Sequence, residues 1–166
     1  PETFFASDLS MAVRDGVRTA LIKATEAWGN YGPLEYWVLG TDNDAALALI
    51  ETFCARREER GQWSKRQCLD HHSRTDQMHN MLSYVLLAQQ AIEQNRAMGT
   101  AGRNGRRQWG LHLFTSSYPF GFDRRFEVTT PEEETKVIFH EYFHAVQHAH
   151  IQSENQQERE RLLGPT

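Results

Sequence analysis

The residues whose types and spacing most clearly suggest chemistry are His140-Glu141-Tyr142-Phe143-His144. Residues four apart on an α-helix share a face, so the two imidazoles can converge on one cation. Glu141 follows the first histidine by one position, which sets its carboxylate beside such a cation rather than on it. There it can take a proton from a water that the cation activates. The pattern points to zinc-dependent hydrolysis of a carbonyl compound, with Zn2+ as cofactor, His140 and His144 as metal ligands and Glu141 as general base.

For that reading the segment must be a helix, and the sequence around it specifies one. Thr130-Pro131-Glu132-Glu133 combines an N-cap threonine, proline at the first helical position and a glutamate placed for a capping box. Glu132, Glu133 and Glu134 suit the positive end of the helix dipole. The helix is expected to run through Val137-Ile138 and Ala145-Val146-Gln147 to about His150. Upstream, Trp109 to Thr115 alternates as a strand does, and Asn104-Gly105 is a turn signal for a hairpin. Ser116 to Phe122 reads as an irregular loop. The strand just before the helix is expected to offer backbone groups to an extended substrate.

Nearer the N-terminus, Ser7 or Asp8 can cap a first helix. Its apolar stripe is Leu9, Val13, Val17, Leu21, Ala24 and Trp28, interrupted by Gly16. Asn30 to Pro33 ends it, and Leu34 to Leu39 is a short aromatic strand. A second helix carries Ala46, Leu49, Ile50 and Phe53 and runs out in Arg56-Arg57-Glu58-Glu59-Arg60, read as a solvated end. Trp63 to Asp76 is polar and unassigned. Within it Asp70-His71-His72 reads as an exposed loop or helix start rather than a metal cluster, because adjacent histidines do not share a helix face. Met78 to Ile92 gives a third helix of about 20 residues with core methionines. The fold class is α+β, predominantly helical with a small sheet.

At 166 residues the chain is expected to form a single domain with a buried core. A net charge of −4 gives no electrostatic case for nucleic acid or an anionic membrane, and no stretch is apolar enough for a membrane span. Cys54 and Cys68 are too few for a disulfide scaffold; one bridge closing the Gly61 region and two buried thiols are both open. The compartment stays open, with a secreted or cell-envelope location slightly ahead of a cytoplasmic one.

His140-Glu141-Tyr142-Phe143-His144-Ala145-Val146-Gln147 resembles the zinc-binding helix of zincin metallopeptidases. The aromatics after Glu141 and the glutamine three residues after His144 are similar to gluzincin-like members rather than metzincins. The resemblance implies a peptide or protein substrate and a zincin-like half-fold that ends in this helix. It also implies a third zinc ligand, a glutamate on a following helix, beyond Thr166. The chain is therefore expected to be the N-terminal part of a longer protein, inactive if that ligand is missing.

Other third ligands are His150, at the metzincin spacing, and Glu154, Glu158 or Glu160. Metzincins carry glycine where this chain has Gln147, and on a continuing helix ten residues turn His150 by about 280° away from the pair. Tyr118 and His112 are candidates by type for the oxyanion donor. Two rivals stand beside this reading. One is a deformylase-like hydrolase, which would need a cysteine ligand from an E-G-C-L-S segment that neither Cys54 nor Cys68 fits. The other is a non-catalytic binding domain that keeps the helix with an incomplete site.

Overall fold

The computed structural model describes residues 1–76, 80–95, 101–106, 110–115, 121–123, 129–150, 158 and 161–162; for 101–106, 110–115 and His148 it describes the backbone alone. The order is β1 (Glu2–Phe5), α1 (Met11–Trp28), β2 (Leu34–Val38), α2 (Asn43–Glu59), α3 (Lys65–His72), α4 (Met81–Glu93), β3 (Ala101–Arg106), β4 (Gly110–Thr115) and α5 (Pro131–His150). This is the expected α+β class, mostly helical around one small sheet. No described helix is long and apolar enough to cross a membrane.

The sheet has the strand order β1-β2-β4-β3. Strand β2 lies parallel to both β1 and β4, while β3 runs antiparallel to β4. Flanked on both sides, β2 is buried at all five positions. Alternation along it sends Glu35 and Trp37 to one face. Trp37 is stacked on Phe4 and meets Phe53 of α2 edge-on at 5.1 Å, so α2 covers that face. Helix α1 packs on α5, and α5 also contacts β4. The core is one cluster that joins Val13, Val17 and Leu21 to Tyr36, Phe53, Tyr84, Ile138 and Tyr142.

Several expectations change at this level. The N-cap of α1 is Ser10, whose hydroxyl accepts from Val13 N–H, rather than Ser7 or Asp8. Asp8 serves a tertiary role: its Oδ2 accepts from Thr41 N at 2.7 Å and Asp42 N at 3.0 Å, which ties the start of α1 to the entrance of α2. Gly40 is required there, since a Cβ would collide with the Asp8 carboxylate. Gly16 has a similar cause, because the Phe122 ring occupies the space a Cβ would need. Strand β1 was not expected; four residues at a chain end carry too little periodicity to announce it.

The run Arg56 to Arg60 is not simply a solvated end. Arg57 is fully buried, with its guanidinium against the Phe53 and Trp63 rings. Arg56 and Arg60 both reach the buried Glu35, each at 2.6 Å, and Arg56 also holds Glu2 of β1 at 2.7 Å. The charges follow helical spacing toward a buried carboxylate in a distant strand, which linear sequence does not display.

The unassigned polar stretch contains α3, capped by Ser64, whose side chain accepts from Gln67 N–H. Cys68 of α3 is bonded to Cys54 of α2. Closing a loop of this size stabilises a fold by about 3 kcal/mol in the chain-entropy description. His72 is not exposed: it is buried at the end of α3, its Nδ1 accepts from Met81 N–H at 3.3 Å, and its ring meets Phe53 edge-on. Helix α4 has 13 residues rather than about 20; Met81 is in the core, and Met78 lies outside the described residues. Asn104 and Gly105 are not the hairpin turn but lie within β3, opposite His112 and Leu111. Arg106 pairs with Gly110, so the connection runs through 107–109, outside the described residues.

Candidate functional site

Helix α5 begins as its sequence dictates. Thr130 Oγ1 accepts from Glu133 N–H at 3.2 Å, and Glu133 Oε2 accepts from Thr130 N–H at 2.8 Å, the reciprocal pair of a capping box. Those contacts hold the Glu133 carboxyl below its ordinary range. The buried face of α5 is Glu134, Ile138, Glu141, Tyr142, His144 and Ala145, which recur at helical spacing.

Glu134 departs from the dipole expectation. It is fully buried, neither carboxylate oxygen has a hydrogen-bond partner, and burial pushes its pKa well above the usual value. Below the unfolded carboxyl pKa both states hold the proton and the group has no effect on pH dependence. As pH rises, the unfolded chain releases its proton first, so stability falls up to the folded pKa. Glu134→Gln is expected to flatten this slope, so that its stability relative to the parent rises from pH 4 to pH 8. Urea unfolding at pH 4 and pH 8 measures it; equal pH dependence in both proteins would refute the assignment.

Tyr142, the residue after Glu141, anchors the helix laterally. Its hydroxyl donates to Gly29 O at 2.6 Å and accepts from Tyr31 N–H at 3.0 Å, which fixes α5 to the loop after α1. Gly29 itself has φ +93°, a conformation that favours glycine, and closes α1 through its N–H to Thr25 O. Trp28 of α1 packs edge-on against Phe139 and Phe143, the neighbours of His140 on its own helix turn. These contacts set both the rotation and the height of α5.

The rotation brings together the residues singled out from sequence. One ligand atom from each of His140, Glu141 and His144 lies within 4.8 Å of the others, and these three form the only such group found among the described residues. The imidazoles stand nearly perpendicular, with centroids 5.1 Å apart. His140 is exposed, whereas Glu141 and His144 are 8% exposed, so the group is open on one side and walled on the other. Nitrogen and carboxylate donors of this kind suit Zn2+. His144 Nδ1 is 2.6 Å from Gln147 Oε1, a contact within one helical turn.

Of two further features of the site, one had no local signal and the other only a spacing. Tyr84 of α4 is buried; burial, then the Glu141 carboxylate, push its phenol up to about 12. Tyr84 therefore keeps its proton through the physiological range and stands as a donor in the electrostatic neighbourhood of Glu141. Only tertiary packing brings it there from 57 positions earlier in the chain. The Gln147 contact was visible only as spacing, three residues after His144.

The other candidates fall elsewhere. Helix α5 continues through His150, as the absence of a glycine at 147 implies, and the His150 ring lies 5.6 Å from Tyr31, outside the group. Glu158 is exposed and does not join it. Glu154, Glu160 and Tyr118 lie outside the described residues, and for His112 only its place in β4 is described. The disulfide leaves neither Cys54 nor Cys68 as a thiolate ligand, which removes the deformylase-like arrangement. Strand β4 is paired on both sides, so it has no open edge for an extended substrate; β3 is the edge strand on that side among the described residues. No family model, curated protein or solved structure matches this chain.

Proposed function

We propose that this chain carries the catalytic helix of a zinc-dependent metallopeptidase of zincin-like, gluzincin-like type. The observation that carries the reading is the convergence of His140, Glu141 and His144 within 4.8 Å on a capped, laterally anchored helix. His140 and His144 would hold the ion, and the donor set fits zinc. When bound, zinc would polarise the scissile carbonyl and lower the pKa of water to about 7.

Glu141 is one position from the first ligand and largely shielded from solvent. It would accept the proton of the attacking water and pass it to the departing amine. Tyr84 would remain a neutral, protonated phenol within the electrostatic reach of Glu141. A peptide as substrate rests on the resemblance of the helix; the side of β3 that pairs with no other strand among the described residues would suit addition of an extended chain. The Cys54–Cys68 bridge supports an oxidising compartment, hence a secreted or cell-envelope location.

A second reading, a binding domain that keeps the helix without turnover, is favoured by one observation. Among the described residues no further His, Cys, Asp or Glu joins the three. Incubating the zinc-loaded full-length protein with a peptide library separates the two readings. Cleavage that a chelator abolishes and added zinc restores is the expected result; zinc binding without cleavage of any peptide would favour the binding domain.

A further inference from the structure

Gln147 is required neither by ligand spacing nor by base chemistry, yet it makes a close polar contact with His144. It sits three residues after His144 on the same side of α5, partly buried, with Oε1 2.6 Å from His144 Nδ1. An amide oxygen offers only lone pairs, so a contact of this length needs the proton on Nδ1. A neutral imidazole protonated at Nδ1 carries its lone pair on Nε2, the other side of the ring.

We propose that Gln147 is a positioning residue: by accepting the Nδ1 proton it fixes the tautomer and rotation of His144, so that Nε2 is the atom presented to a divalent cation shared with His140. The cation rests on the metal-centre reading above; the tautomer does not. An outer hydrogen bond of this kind orients a ligand before the ion arrives and makes the ring nitrogen a better donor. Position 147 is also where the metzincin pattern has the glycine that lets the chain leave the helix. Gln147 reaches His144 only while the backbone stays helical through that turn. The same residue thus orients the second ligand and keeps His150 on the continuing helix, away from the pair.

The test uses the whole chain with 15N-labelled histidine, free of metal, at about pH 8, where an ordinary imidazole is neutral. Long-range proton–nitrogen correlations should place the His144 proton on Nδ1. Gln147→Met, similar in length but without an amide acceptor, should give mixed tautomers and bind zinc about 10- to 100-fold more weakly in a chelator competition. Gln147→Glu, which keeps an acceptor oxygen, should restore both, a rescue that a merely structural role would not produce. A wild-type proton on Nε2, or an unchanged tautomer in Gln147→Met, would overturn the assignment. So would an unchanged zinc affinity in Gln147→Met despite a shifted tautomer. Failure of the wild type to bind zinc with the Nδ1 proton in place would instead sink the metal-centre reading, and the role toward a cation with it.

Discussion

Replacing Glu141 by glutamine is expected to leave zinc bound while lowering peptide hydrolysis by about 10²- to 10⁴-fold, the usual contribution of a positioned general base. The substitution preserves volume and hydrogen-bonding capacity at a position only 8% exposed, so the helix should be undisturbed. What it removes is the ability to accept a proton. The histidines remain, and because Glu141 is assigned beside the ion rather than on it, metal content should not change. Turnover within a few-fold of wild type would remove Glu141 from the mechanism. A simultaneous loss of zinc would recast it as a ligand.

The largest effect on stability is expected far from this site, at Glu35. Its side chain is 1% exposed and is held by Arg56 and Arg60, while the Trp37 indole donates to its Oε2 at 3.3 Å. Removing one partner of a buried ion pair typically costs about 3–5 kcal/mol, because the charges left behind have lost their compensation. The two arginines here keep 27% and 21% exposure, so water can take up part of the loss. Glu35→Ala is therefore placed at the lower end, about 3 kcal/mol, a large share of the roughly 5–15 kcal/mol available to a domain. Denaturant unfolding reads it directly. A cost below about 1 kcal/mol, the range of exposed pairs, would mean that the cluster behaves as a surface salt bridge.

The contrast between these two sites explains how much of the fold and the site was legible in the sequence. Helix α5 was readable almost in full, because nearly all of its devices are local. Thr130 and Glu133 are three apart, His140 and His144 four apart, and the apolar stripe repeats with the helix itself. The same holds for β2 and for the stripe of α1. Devices closed across the fold were not readable. Asp8 could equally have capped α1, and it is used 33 positions away at Thr41. Arg56 and Arg60 look solvated until β2 brings Glu35 beneath them. Asn104-Gly105 has the composition of a turn, yet strand pairing places it inside β3, where register decides over local preference. Glu134 matches the dipole rule by position and breaks it by burial: it lies one turn before Ile138 on the buried stripe, a placement its charge disguises.

Within the site the division is similar. His140, Glu141 and His144 were singled out from spacing alone. Tyr84 needed the packing of α4 near α5, and the anchoring of Tyr142 needed the loop after α1. The expectation that the strand before the helix would take the substrate failed because adjacency in sequence does not tell an interior strand from an edge.

Zinc stoichiometry is the measurement that bears most directly on the central claim. Metal-free protein dialysed against zinc, with metal content determined for the wild type and for His144→Ala, should give one ion per chain in the wild type and a large loss in the variant. No zinc on the wild type, or the same content in both proteins, would contradict a metal centre built on His140 and His144.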